Sequence, residues 1–206
     1  MPGGVVVTEN KKRKLAYTKE FRLSLFLKSG VLRKFLDWNK KISDADKEKQ
    51  FEDGEFKITP LFKPNNVGRY FKLTFGTESY FVKESTKHHG GGADEILDSN
   101  NLIGILKKER IDYAEVVKFK AGYQDSDRVY YVAAWDERLT KTAAELESDG
   151  RLNERERKEI REKCYKLSDL LRNKYGYWDI TFRNMSYDPQ TKNIIIFDPQ
   201  RHKRYL

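Results

Sequence analysis

Cysteine is nearly absent from this 206-residue sequence, in which Cys164 stands alone. One thiol excludes a disulfide within the chain and any zinc site built from several cysteines, and it fits a reducing compartment. Long apolar runs are missing as well. None approaches the ~18 residues of a membrane span, so no span is expected. Residues 1–10 lack the basic start and apolar core of a secretory signal, which points to an intracellular, cytoplasmic protein. Histidine is scarce, and the pair His88-His89 abuts Gly90-Gly91-Gly92, which reads as a flexible loop rather than a metal site. No internal repeat is present.

What is present is charge and aromatic surface. The 41 Lys and Arg exceed the 32 Asp and Glu to give a net charge of +9. With 12 Phe, 12 Tyr and 3 Trp the chain is too aromatic for wholesale disorder. At this length folding buries roughly 70% of the unfolded surface, enough for a core without a staple. The positive excess suits phosphate-bearing or acidic partners: a nucleotide, a nucleic acid, an anionic lipid or an acidic protein. Its densest block is Lys11-Lys12-Arg13-Lys14, read as a solvated run, with a nuclear address or nucleic-acid arm as the sharper alternative.

Periodicity divides the chain. Residues 1–14 read as a flexible basic tail. Apolar positions Phe21, Leu25, Val31, Leu32, Phe35 and Leu36 recur at mostly helical spacing, so residues 15–54 read as a helical extension interrupted near Ser29-Gly30. Beyond Asp53-Gly54 the pattern turns to strands at 55–61, 69–75 and 79–83, the last two forming a hairpin about Gly76-Thr77. A helix over 94–108 and strands over 114–121 and 128–135 follow. Asn153 and Glu156 form a capping box for a helix that buries Ile160, Cys164, Leu167, Leu170 and Leu171 and ends at Gly176. Cys164 on that stripe reads as core packing. After a loop over 177–185, a last strand over 193–197 runs into Asp198. The class this order implies is α+β.

The chemistry concentrates in the loop after the long helix, Tyr177-Trp178-Asp179-Ile180-Thr181-Phe182-Arg183-Asn184, and in Asp198 at the end of the last strand. A carboxylate that orients a hydroxyl, followed by an Asn and a strand-end Asp able to hold magnesium, suits phosphoryl transfer. Arg183 lies inside this loop, within reach of a phosphate. These residues resemble the protein-kinase family. Asp179 to Asn184 matches the D-x-x-x-x-N catalytic loop, and Asp198 takes the place of the metal aspartate in D-F-G. Tyr80-Phe81-Val82-Lys83 looks like the strand of the ATP lysine, Glu95 like its partner on the following helix, and Tyr130–Asp136, with Ala134 and Trp135, like the strand and hinge beside the adenine.

The resemblance covers roughly 55–202 and is similar in style to minimal kinases of phages and injected bacterial effectors. It implies an antiparallel small lobe with one helix (55–135) and a reduced helical large lobe (136–206). It also implies catalytic Asp179 and Lys83, cofactor contacts from Lys83, Glu95, Ala134, Trp135, Asn184 and Asp198, and magnesium on Asn184 and Asp198, with manganese as a substitute. The expected function is ATP-dependent transfer to protein Ser or Thr, with a protein substrate or regulatory partner, and host cytoplasm or nucleus if the chain is an effector or viral protein. The departures are specific. Tyr177-Trp178 replaces the family's His-Arg, Asp198-Pro199-Gln200 replaces D-F-G, and Asn65-Asn66-Val67-Gly68 stands where a glycine-rich loop would lie. With Leu206 following so soon, no activation segment, A-P-E motif or peptide-docking lobe is expected. These departures favour a pseudokinase-type binding module as the alternative. A basic nucleic-acid binder or nuclease ranks lower, since Glu115 and Lys118 have the wrong spacing for an E-x-K centre.

Overall fold

The computed structural model describes residues 5–10, 13–18, 30–43, 46–62, 68–86, 94–124, 128–148, 150 and 152–199, the backbone alone at 5–10, 13–16, 18, 68, 86 and 94–95. Two compact units form, one from residues 1–96 with 119–135, the other from 97–118 with 136–206.

The first unit is an antiparallel sheet. Among the described residues its strands are β1 (Val5–Asn10), β2 (Arg13–Thr18), β3 (Phe51–Asp53), β4 (Phe56–Leu61), β5 (Gly68–Phe75), β6 (Glu78–Thr86), β8 (Ala121–Gln124) and β9 (Arg128–Ala134), in the order β1-β2-β8-β9-β6-β5-β4-β3. The expected hairpin joins β5 to β6, and Gly76 at φ 57° supplies the turn conformation that glycine alone adopts cheaply. Helix α1 (Val31–Lys41) follows Gly30 and packs Val31, Phe35 and Trp38 into a core with Phe71, Leu73, Tyr80, Val82 and Tyr130. Lys40 and Lys41 in its last turn suit the negative end of the helix dipole.

This corrects the reading of 1–54. Within the segment read as tail, residues 5–10 and 13–14 are strand, and so are residues 15–18 of the extension read as helix: β1 pairs with β2, and β2 pairs antiparallel with β8, Lys14 opposite Gln124. Residues 51–53 are likewise strand, opposite Phe56–Ile58 on β4. Helix within the described part of 15–54 is confined to α1 and a 3₁₀ turn at Asp46–Glu48. Residues 21–29, where the helical spacing begins, lie outside the described residues.

The second unit holds β7 (Ala114–Val116), β10 (Met185–Asp188) and β11 (Asn193–Ile196), in the order β10-β11-β7. β10 and β11 form a hairpin, and β7 runs parallel to β11 with Ile194 opposite Ala114. The strand expected over 114–121 is therefore two strands in two different sheets, and β10 went unread. Helix α2 (Asp94–Lys108) gives Leu102 and Leu106 to this core, α3 (Ala143–Ser148) gives Ala143, and α4 (Glu154–Tyr175) gives Ile160, Cys164, Leu167 and Leu171. The capping box of α4 is complete, Asn153 accepting from the Glu156 N–H at 2.9 Å and Glu156 accepting from the Asn153 N–H at 2.8 Å. Gly176 ends the helix at φ 74°. No helix among the described residues is long and apolar enough to cross a membrane.

Candidate functional site

Lys83 lies on β6, between β5 and β9, opposite Tyr70 on one side and Tyr131 on the other. Strand alternation sends Tyr80, Val82 and Glu84 to the face under α1, and Phe81, Lys83 and Ser85 to the other. That second face is aromatic: Phe81 contacts Tyr70 and Phe119, and Phe119 contacts Tyr131. Lys83 is 1% exposed, with Nζ 5.6 Å from the centre of the Tyr131 ring. A buried ammonium is costly unless polar or charged groups meet it.

The side chain of Glu95, in the first turn of α2, lies outside the described residues. Ala134 is exposed at the end of β9. The Trp135 main-chain N–H donates to the Ser79 carbonyl at 3.1 Å, so it is already engaged. The Lys72 ammonium stands 4.4 Å from the centre of the Trp135 ring, a cation–π contact that sequence reading missed. A second feature it missed is Glu84, fully buried beside Lys83 on the opposite face. Arg128 reaches its carboxylate at 2.7 Å, and Asn39 of α1 donates to Glu84 at 3.4 Å and to the Tyr130 hydroxyl at 2.8 Å. Nothing in local sequence pairs these residues, which come from three distant segments.

In the second unit the chain leaving α4 is pinned at Tyr177. Its main-chain N–H donates to the Leu171 carbonyl at 3.1 Å, and its hydroxyl donates to the Asp98 carbonyl at 3.1 Å. Trp178 is 43% exposed, Asp179 is half-buried, and Ile180 anchors the loop in the core. The loop then closes on itself. The Asn184 side-chain amide donates to the Asp179 carbonyl at 2.9 Å, and the Asn184 N–H donates to the Thr181 carbonyl at 2.9 Å. The Phe197 N–H donates to the Asn184 carbonyl at 3.2 Å, bringing the strand end that carries Asp198 against the same loop. Asn184 and Asp198 are each 4% exposed. Asp179, Asn184 and Asp198 thus share one locality, while Arg183 points to solvent as an exposed residue of the 3₁₀ turn.

Beside this loop, Arg138 holds the sheet of the second unit through its carboxylates. It donates to Glu115 at 3.0 and 2.8 Å and to Asp136 at 2.7 to 3.2 Å. Those bonds keep both carboxyl groups below their ordinary pKa values. Glu115 is therefore a structural partner of Arg138 and not a nuclease ligand. Cys164 is 3% exposed with Sγ 4.0 Å from the Met185 sulfur, and burial pushes its thiol pKa up to about 12. His88, His89, Lys11 and Lys12 lie outside the described residues.

No family model matches the sequence, and no curated protein matches it. Among solved structures, the crystal structure of the BubR1 kinase domain is similar at 13% sequence identity and a TM-score of 0.45. The match covers 86% of this chain and 59% of that one, so the chain spans less than two thirds of that kinase domain.

Proposed function

We propose that this chain is an ATP- and magnesium-dependent phosphotransferase acting on protein serine or threonine. The observation that carries the reading is the closed loop in the second unit, where Asn184 bonds the Asp179 carbonyl at 2.9 Å and the Asp198 strand end is tied to Asn184. The donor set fits a hard divalent cation. The Asn184 NH₂ faces Asp179, which leaves its Oδ1 as an acceptor, and Asp198 adds a carboxylate. Among the described residues no three His, Cys, Asp or Glu are arranged to hold a metal. Magnesium does not require such a cage, since it takes one or two carboxylates and draws its other ligands from phosphates and water.

Asn184 and Asp198 would hold the metal, which would supply neutralisation of charge on the nucleotide phosphates. The chain's own residues do the remainder. Lys83 binds the α- and β-phosphates and Glu95 orients Lys83. Asp179 positions the acceptor hydroxyl and takes its proton as the acceptor oxygen bonds the γ-phosphorus and the bridging bond to ADP breaks.

One observation favours a second reading, a partner-binding module of the same fold. The Trp135 N–H is engaged by Ser79, which removes a backbone donor from the segment read as the hinge. Thermal unfolding with and without millimolar ATP and magnesium separates the two, on wild type, Lys83→Ala and Asp198→Ala. Ligand at 100 times its dissociation constant stabilises by about 2.7 kcal/mol, a rise of about 5–10 °C at this size. A magnesium-dependent rise lost in both variants supports the phosphotransferase, and transfer of labelled γ-phosphate to protein acceptors then tests the chemistry. No rise at saturating nucleotide overturns it in favour of the binding module.

A further inference from the structure

A pocket of about 290 Å³ opens in the first unit between α1 and β3, the last strand of the described sheet. Its wall is a row of three aromatic rings. Trp38 and Phe51 have centroids 6.0 Å apart, and Phe51 and Phe56 are 6.3 Å apart. From α1, Lys34 and Lys41 line the same pocket, two turns apart on one helix face. The Lys34 ammonium lies 6.0 Å from the centre of the Phe56 ring, and neither lysine has an ion pair among the described residues. The indole N–H of Trp38, a residue 6% exposed, is buried and meets no acceptor among the described residues. The carboxylates of the lining are Asp37, on the same helix and 3.9 Å from Arg33 in an exposed pair, and Asp53 on β3. Along the helix wall two ammonium groups therefore stand against one carboxylate.

We propose that this pocket docks an extended acidic segment of a partner protein. One large apolar side chain seats against the three rings, and a carboxylate next to it is held by Lys34 and Lys41. The volume lies just under the ~300 Å³ at which drug-sized ligand sites begin, which suits a single anchoring side chain. β3 has no second partner strand among the described residues, and its outer edge is where an extended chain would add to the sheet. Asp53 on that side disfavours a second carboxylate, which sets the order of the motif: the acid lies over the helix and the apolar anchor lies inward. This surface is built from α1, β3 and β4 and does not depend on nucleotide binding.

The test is fluorescence anisotropy of a fluorescein-labelled peptide containing Ser-Glu-Phe-Asp-Ser, titrated with the full chain. Saturable binding is expected, weakening with added salt. Its dissociation constant should rise about tenfold or more when Lys34→Glu and Lys41→Glu are combined, and likewise when the peptide's Phe is replaced by Ala. Both lysines are exposed, so an unchanged melting temperature shows that the double variant keeps its fold. Trp38→Phe retains a ring but removes the N–H, and a smaller loss is expected. No saturable binding at millimolar peptide, equal affinity in the lysine variant, or equal affinity for a peptide with Lys in place of both acids would each overturn the proposal.

Discussion

The Asn184 side-chain amide donates to the main-chain carbonyl of Asp179 at 2.9 Å, so the candidate catalytic loop is closed by its own far end. Asn184→Ala should cost about 1–2 kcal/mol of stability by leaving a carbonyl poorly satisfied, measured by urea unfolding. Asn184→Asp keeps an oxygen for a metal but cannot donate. It should therefore show a similar stability loss while retaining magnesium-dependent stabilisation by ATP. Equal stability in all three proteins would mean that the bond does not hold the loop.

Phe35 is fully buried, with its ring 5.8 Å from that of Phe71 and 5.6 Å from that of Tyr130. Phe35→Ala should destabilise the first unit by about 3–5 kcal/mol through lost burial and the cavity left behind. A loss under about 1 kcal/mol in chemical denaturation would show that α1 is an appendage and not part of the core.

Arg138 depresses the pKa values of Glu115 and Asp136 by donating hydrogen bonds to both. Their contribution to stability is fully present above the ordinary values of 4.5 and 3.8, and it is lost as pH falls through the lowered folded values. The carboxylates are 42% and 31% exposed, so solvent screens the interaction and Arg138→Ala should cost only about 1 kcal/mol at pH 7. Below pH 4 the gap between variant and wild type should narrow. A gap that widens on acidification would contradict this assignment.

The Cys164 thiol is buried and its pKa is pushed up to about 12 by desolvation. A disulfide reagent at pH 8 should leave it unmodified for as long as the chain stays folded and titrate one thiol in urea. Rapid modification of the folded chain would place the thiol at the surface.

Local patterns were legible where short-range chemistry sets the conformation. Gly76 in the hairpin, the Asn153–Glu156 box and Gly176 at the end of α4 were all readable, because each acts within a few residues. β2 was not, because a strand of mixed polarity such as 13–18 lies between its hairpin neighbour β1 and β8, and it joins the rest of the sheet only through β8, more than a hundred positions along the chain. The run over 114–121 shows the same limit. Its apolar positions satisfy a strand in either sheet, and the main-chain bond from the Val117 N–H to the Ile196 carbonyl at 2.8 Å commits its first part to the second unit. Asp179, Asn184 and Asp198 in the second unit, and Lys83 in the first, stood out by spacing and by order along the chain. Glu84, Asn39 and Arg128 did not, since three separated segments supply them.

The sequence by itself determined the α+β class, the long helix with both of its ends, and the residues whose spacing proposes phosphoryl transfer. Local capping, turn chemistry and residue order carry that information. Only the tertiary structure decided that residues 5–10 and 13–18 are strands and that α1 belongs to the core, that Glu115 is bound to Arg138, and that Lys83 is buried against Tyr131. Each of these depends on which distant strands meet, and that choice is made by burial shared across the whole sheet.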